Sequence, residues 1–234
     1  MKIAIKSPDD SRKPRSDGEQ SRERLLLAAM RLFAEQGFAK TSTREIAQAA
    51  GANVAAIRYY FGDKANLYRT LFRCRPAGME RDELWHGLAD APLRQALAGF
   101  YDALLALMKE GDAARLFLRL WFRELLEPTG LWQEELEHSI RPMHLALVAL
   151  LAQHVGPAPE PINNDADLHR LAYAVAGLGM QLMISRDVVS AITPQLIASP
   201  AAIDTWAARL VDYAEAMVGA EQQRRTTLFK AETA

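Results

Sequence analysis

TSTREIAQAAGANVAAIRYYFGDKANLY, residues 41 to 68, is the stretch whose punctuation decides the fold. Ser42-Thr43-Arg44-Glu45 has the spacing of a capping box, a hydroxyl at the helix start and a carboxylate three residues on, each satisfying a backbone N–H that the first turn leaves free. A short helix is predicted to follow, with Ile46, Ala47 and Ala50 on its inner face and Gly51 as its stop. Asn53 then caps a second short helix, Val54 to Tyr60. Gly62-Asp63 punctuates before a third amphipathic stretch that carries Leu67, Leu71 and Phe72. Two short helices about a glycine-containing turn, braced on either side by longer ones, form a helix-turn-helix.

Upstream, Leu25, Leu26, Ala29, Leu32 and Phe33 recur at three- and four-residue steps between Arg22, Glu23, Arg31 and Glu35, an amphipathic helix with Gly37 as its left-handed end. Ser16-Asp17-Gly18-Glu19 has capping-box spacing ahead of it, and residues 1–15 are polar and aperiodic, a mobile arm. Downstream the pattern is one of long helices. Leu93, Leu97, Phe100, Leu104, Leu107 and Met108 make one stripe after Pro92. A second segment runs from Asp112 to Glu127 and a third from Leu131 to Val155 with a bend at Pro142. Residues 156–165 are a loop, a fourth helix covers Asp167 to Ile192, and a fifth covers Ile203 to Gly219. The expected organisation is a flexible basic arm (1–20), a helix-turn-helix DNA-binding domain (21–75), a ligand-binding and dimerisation domain (76–222) and a C-terminal tail (223–234).

Composition agrees. Half of the 234 residues are apolar, and Ala, Leu, Arg and Glu dominate, which favours an all-α protein. Apolar runs such as Leu145 to Ala152 fall short of the ~20 residues that span a bilayer, and Met1 to Gln20 has no stretch like a signal peptide, so the expectation is a cytoplasmic chain without membrane contact. A single cysteine, Cys74, makes no internal disulfide and is a poor seed for zinc. The net charge of −1 conceals a division: residues 1–75 hold 15 Lys/Arg against 8 Asp/Glu, and residues 76–234 hold 13 against 21. A basic N-terminal part beside an acidic remainder is the footprint of a protein that binds phosphates with one end only.

From Leu25 to Phe72 the chain resembles the DNA-binding region of TetR-family regulators: a Thr/Ser opening, Arg-x-Ile-Ala, a Gly turn, a short helix with aromatics, then Phe-Gly-x-Lys and Leu-Tyr. Asn53 to Tyr60 with Phe61-Gly62-Asp63-Lys64 is most similar to the CecR (YbiH) branch. The resemblance implies a transcriptional regulator, a repressor released from a palindromic operator by a small apolar effector, and it places Arg44 on DNA. Many family members carry tyrosine where this chain has Arg58, so base preference does not carry over. The physics runs parallel. A recognition helix presents its N-terminal side chains to base edges, here Asn53, Val54, Ala55, Ala56 and Arg58, with Arg58 the long donor for guanine. Ser42, Thr43, Tyr59 or Tyr60, and Lys64 stand at or beside helix starts, where phosphates bind. One of the two tyrosines is expected to pack inward.

One recognition helix reads only a few base pairs, so the reading requires a homodimer. Its expected surface is Leu171, Val175, Leu178 and Leu182 on one late helix and Trp206, Leu210, Tyr213 and Met217 on the other, with Ala174, Gly177 and Gly179 allowing close approach. Large adaptable side chains in the middle helices suggest the effector pocket: Phe100, Tyr101, Leu104, Met108, Phe117, Trp121, Phe122, Trp132, Met143, His144 and Met183. Arg119, Arg123 and Glu124 could add polar contacts. His138 and His144 are six apart and no carboxylate joins them at ligand spacing, so neither metal nor cofactor is expected. No Ser/His/Asp group, phosphate loop, paired carboxylates or HExxH supports the alternative of a helical enzyme. That enzyme, or a ligand carrier, leaves the basic segment unexplained, and a protein-binding adaptor is separated from a DNA reader by salt dependence, steep only for the latter.

Overall fold

The computed structural model describes residues 17–73, 91–156 and 162–232. The arm of residues 1–15, Ser16 as a cap, Cys74 and the Trp132 side chain lie outside the described residues. Within them the chain is helical without a strand. In chain order the helices are α1 (Asp17–Gln36), α2 (Thr43–Ala49), α3 (Val54–Phe61), α4 (Lys64–Arg73), α5 (Leu93–Lys109), α6 (Asp112–Leu126), α7 (Trp132–Glu135), α8 (Arg141–Ala152), α9 (Ala166–Ile184), α10 (Arg186–Ile192) and α11 (Pro200–Glu232). Residues 17–20, expected in the arm, are already the first turn of α1.

The described residues divide into two compact units, 17–73 with 110–132, and 91–109 with 133–156 and 162–232. The first unit therefore takes in α6, which the sequence reading had grouped with the C-terminal domain. Three contacts within the unit explain why. Phe117 of α6 packs against Phe72 of α4, ring centroids 6.2 Å apart, extending the cluster of Phe33, Phe38 and Tyr68. Glu124 is buried, and its carboxylate accepts from the Tyr68 hydroxyl at 2.8 Å and from the Thr129 N–H at 2.9 Å. Buried charge is tolerated only when its lone pairs are occupied in this way. Burial and the Glu124 partner together push the Tyr68 hydroxyl well above its ordinary pKa. Arg123 supplies the third contact: its Nη1 donates to the Ala34 and Glu35 carbonyls at 3.3 and 3.2 Å. It thus stands as the cation at the end of α1, which has none of its own in its last turn. Gly37 (φ 83°) makes room, since a Cβ there would meet Arg123 Nε at 2.9 Å.

In the second unit α5 lies along α11, and α9 packs on α5, α8 and α11. Leu97, Phe100, Tyr101, Leu105, Val148, Leu151, Leu168, Val175 and Ala214 are all within 1% of complete burial, each large apolar side chain contributing roughly 1.5–3 kcal/mol. The Tyr101 hydroxyl donates to the Val175 carbonyl at 2.8 Å. Gly179 allows α9 to approach α5 so closely that a Cβ would fall 2.5 Å from Leu104 Cδ2, whereas Gly177 has nothing within 4 Å. The close approach offered by Gly179 is thus used inside the protomer.

Three helix boundaries differ from expectation. The segment predicted as Asp167 to Ile192 is two helices bent by 64° that meet at Ser185, whose hydroxyl bonds back onto the Gln181 carbonyl that already accepts its N–H. The bend expected at Pro142 is a π-turn over Leu136–Ile140 just ahead of it, where the proline offers no N–H. The last helix runs 33 residues, through Gly219 and most of the expected tail. Arg224 and Arg225 hold this extension by pairing with Asp167 at 2.6 Å and Asp165 at 2.8 Å. No single helix among the described residues is long and apolar enough to cross a membrane, although the bent pair α9–α10 reaches that composition.

Gly179→Ala should lower stability by about 1–3 kcal/mol in urea unfolding at unchanged m. Gly219→Ala, exposed with nothing within 4 Å of its Cβ, should raise it by roughly 0.5–1 kcal/mol.

Candidate nucleic-acid interface

Thr41 opens the site from below. It is 1% exposed, and its hydroxyl donates to the Gly37 carbonyl at 2.8 Å, tying the end of α1 to the start of α2. The capping box then forms as spaced: the Glu45 N–H donates to Ser42 Oγ at 3.2 Å, and the Ser42 N–H to Glu45 Oε2 at 2.7 Å. The Ser42 backbone N–H, then its hydroxyl, hold the Glu45 carboxyl below its usual pKa. Gly51, at φ 60°, turns the chain with its N–H on the Gln48 carbonyl. Asn53 Oδ1 accepts the Ala55 N–H at 2.8 Å, a cap that does not use the Nδ2 donors. Asp63 Oδ1 caps α4 through the Asn66 N–H at 2.7 Å.

These caps orient α3. Ile57 and Phe61 are buried at 2% and 6%, while Val54 is 42% and Tyr59 83% exposed. Asn53, Ala55 and Arg58 are exposed, Ala56 and Tyr60 half-buried. The question of the two tyrosines resolves by packing: Tyr60 turns toward Phe61, centroids 6.2 Å apart, and supports Tyr59 edge-on at 4.9 Å. On α2, Ser42 and Arg44 are exposed and Thr43 half-buried. Lys64 is half-buried, its ammonium 4.4 Å from the Phe38 ring centroid, and Arg22 of α1 lies 5.4 Å from that of Phe61. Both are cation–π contacts that hold a positive charge beside the helix-turn-helix. Sequence periodicity offered no signal for Arg22 or Phe38, because these partners come from α1 and its exit.

The remaining candidates are dispersed. Phe117, Trp121 and Phe122 belong to the first unit, with Phe117 and Phe122 buried there. Phe100, Tyr101, Leu104 and Met108 are core residues of the second, in which Met143, His144 and Met183 are half-buried. An open cleft of about 670 Å³ in the second unit is lined instead by Val155, Asp165, Gln222, Arg225 and Phe229. Of the residues expected between protomers, Leu171, Val175, Leu182 and Leu210 are at most 8% exposed within one chain. Leu178, Trp206 and Met217 are half-buried, and Tyr213 is 56% exposed, with Tyr173 and Ile184 exposed beside them in sequence. Among the described residues no group of three or more His, Cys, Asp or Glu could hold a metal ion.

Asn53→Ala should destabilise the first unit by about 1 kcal/mol through the lost cap. Asn53→Asp should retain that stability in the same thermal melt.

The family described as bacterial regulatory proteins, tetR family, matches residues 25–71. The C-terminal domain of the HTH-type transcriptional dual regulator CecR matches residues 93–220. CecR of Shigella flexneri is 33% identical over 150 residues, 59% of this chain and 66% of that protein's length. In fold the chain is similar to NalD, the secondary repressor of the MexAB-OprM multidrug efflux pump in Pseudomonas aeruginosa, at TM-score 0.53 and 22% identity over 87% of this chain and 98% of that one. A SmeT–triclosan complex aligns at TM-score 0.57 and 18% identity, over 84% of this chain and 90% of that one. The helix-turn-helix at its start and the match over more than half its length lead to one conclusion: the chain belongs to the TetR family of bacterial regulatory proteins, with a C-terminal domain of the CecR type.

Proposed function

We propose that the chain is a DNA-binding transcriptional regulator acting as a repressor in the cytoplasm. In this reading a homodimer holds a palindromic operator and releases it when a small apolar effector binds the C-terminal unit. The observation that carries it is the outward row of Asn53, Val54, Ala55, Arg58 and Tyr59 on a capped helix of eight residues, in the basic part of the chain. A helix of this bulk enters the major groove, where Val54 and Ala55 meet thymine methyls and Arg58 takes guanine O6 and N7 together. Arg44 joins them from α2, and Ser42, Thr43, Tyr59 and Lys64 hold phosphates. The acidic remainder, 13 Lys/Arg against 21 Asp/Glu, would be repelled by the polyanion.

Two recognition helices must sit about one turn of DNA apart, roughly 34–36 Å. The accessible residues Leu178, Trp206, Tyr213 and Met217 are the proposed contact between protomers. For the effector, the core of the second unit around Phe100, Tyr101, Leu104, Met108, Met143, His144 and Met183 is the proposed receptor. The triclosan complex of SmeT is a fold-level parallel for such a ligand. An effector that binds one form better shifts the recognition-helix spacing by that difference in affinity, with α4 as the lever.

Arg58→Ala should cost about 1–3 kcal/mol on the preferred operator and relax one base position, while Lys64→Ala should weaken all duplexes alike. Both are read from fluorescence anisotropy across a salt series, where wild-type affinity should fall steeply. Equal losses for both variants on every sequence would contradict the assigned roles. In sedimentation velocity the protein should run at twice its 26.0 kDa chain mass. Tyr213→Arg, at an exposed position, should move it toward the monomer.

A further inference from the structure

In the second unit His144 of α8 stands against both His169 and Tyr173 of α9, which lie one helical turn apart on one face. The His144 ring centroid is 5.0 Å from that of His169 and 4.3 Å from that of Tyr173, with interplanar angles of 20° and 27°. His144 Nε2 and His169 Nδ1 are 2.7 Å apart. At that separation one hydrogen lies between the nitrogens. In the neutral pair one ring donates and the other accepts. A first added proton leaves that bond in place and makes it charge-assisted. A second proton gives both facing nitrogens an N–H, removes the acceptor and sets two cations side by side.

We propose that this histidine pair is an acid-sensitive latch between α8 and α9, closed while the rings share a single bridging hydrogen and opened when both facing nitrogens are protonated. The other charged groups on the surrounding elements are largely committed. On the turn before α8, Glu137 pairs with Arg141 at 2.9 Å, and His138 Nδ1 bonds the Glu134 carbonyl at 2.9 Å. On α9, Asp167 pairs with Arg170 and with Arg224 of α11, each at 2.6 Å. Asp165 pairs with Arg225 at 2.8 Å, and Glu221 with both arginines of α11 at 2.7 Å. The α5 cations Arg94 and Lys109 pair with Asp212 and Glu215 and with Asp102 and Asp204. The Tyr101 hydroxyl bonds the Val175 carbonyl, and α10 adds Arg186 and Asp187. Burial, then the neighbouring His169, push His144 below the ordinary histidine pKa. A histidine so depressed stabilises the fold above the unfolded-state value near 6.5, and this contribution is lost as pH falls below it.

The test uses the full chain and needs no DNA. Nitrogen-15 NMR of the imidazoles should show His144 titrating below the ordinary histidine range and in a step coupled to its ring neighbour. Hydrogen exchange of α8 amides, wild type against His144→Gln at each pH, should diverge severalfold as pH falls below about 6.5, with the wild type losing protection. His144→Phe, which keeps a ring beside Tyr173 without a titrating nitrogen, should behave as His144→Gln. Independent titration of both rings near 6.5, or the same acid dependence in wild type and both variants, would overturn the latch.

Discussion

Short helices depend on what caps them, and the first unit is built on that constraint. A helix leaves its first four N–H and last four C=O groups without internal partners, so α2 with seven residues and α3 with eight have more open ends than closed bonds. Ser42, Glu45, Asn53 and Asp63 close the starts, each such cap contributing about 1 kcal/mol. Thr41 locks the approach from α1, and Gly51 turns the chain between the two. Once these groups are committed, the helix has one way to bury Ile57 and Phe61, and the residues left outward are those proposed to meet DNA. The proposed interface is a consequence of capping and burial acting together.

A second dependence is tertiary. The Ala34 and Glu35 carbonyls at the end of α1 and the Tyr68 hydroxyl have partners far away in sequence; both are served by α6, through Arg123 and Glu124. The helix-turn-helix is thereby packed against a helix that arrives some 40 residues later in the chain. A buried carboxylate answered by Tyr68 and Thr129 is sensitive to geometry, and a proposed operator-release motion would act on this group as much as on α4.

In the second unit close approach and charge divide the labour. Gly179 and the Tyr101–Val175 bond set how near α9 lies to α5. The ion pairs of Arg224 and Arg225 extend α11 beyond the point where glycine suggested an end. Exposed pairs such as Arg94–Asp212 contribute little to stability, whereas Arg225 and Asp165, at 11% and 6% side-chain exposure, anchor the start of α9.

Local chemistry was legible without coordinates. The all-helical class, the caps at Ser42 and Asn53, the stops at Gly37 and Gly51 and the outward row of α3 all follow from side chains that satisfy backbone groups within four residues. The periodic stripes likewise marked most helices to within a few residues. What the stripes left open was their partner: Leu171, Val175, Leu182 and Leu210 read as an interface and are buried in the protomer. Gly179, proposed for contact between chains, serves contact within one, and α6 joins a different unit. The bend at Ser185 and the pairing of His144 with His169 were likewise invisible. An apolar or titratable face records that something covers it but not what, because period and capping are set by near neighbours, whereas the covering surface is chosen by the packing of segments far apart in the chain.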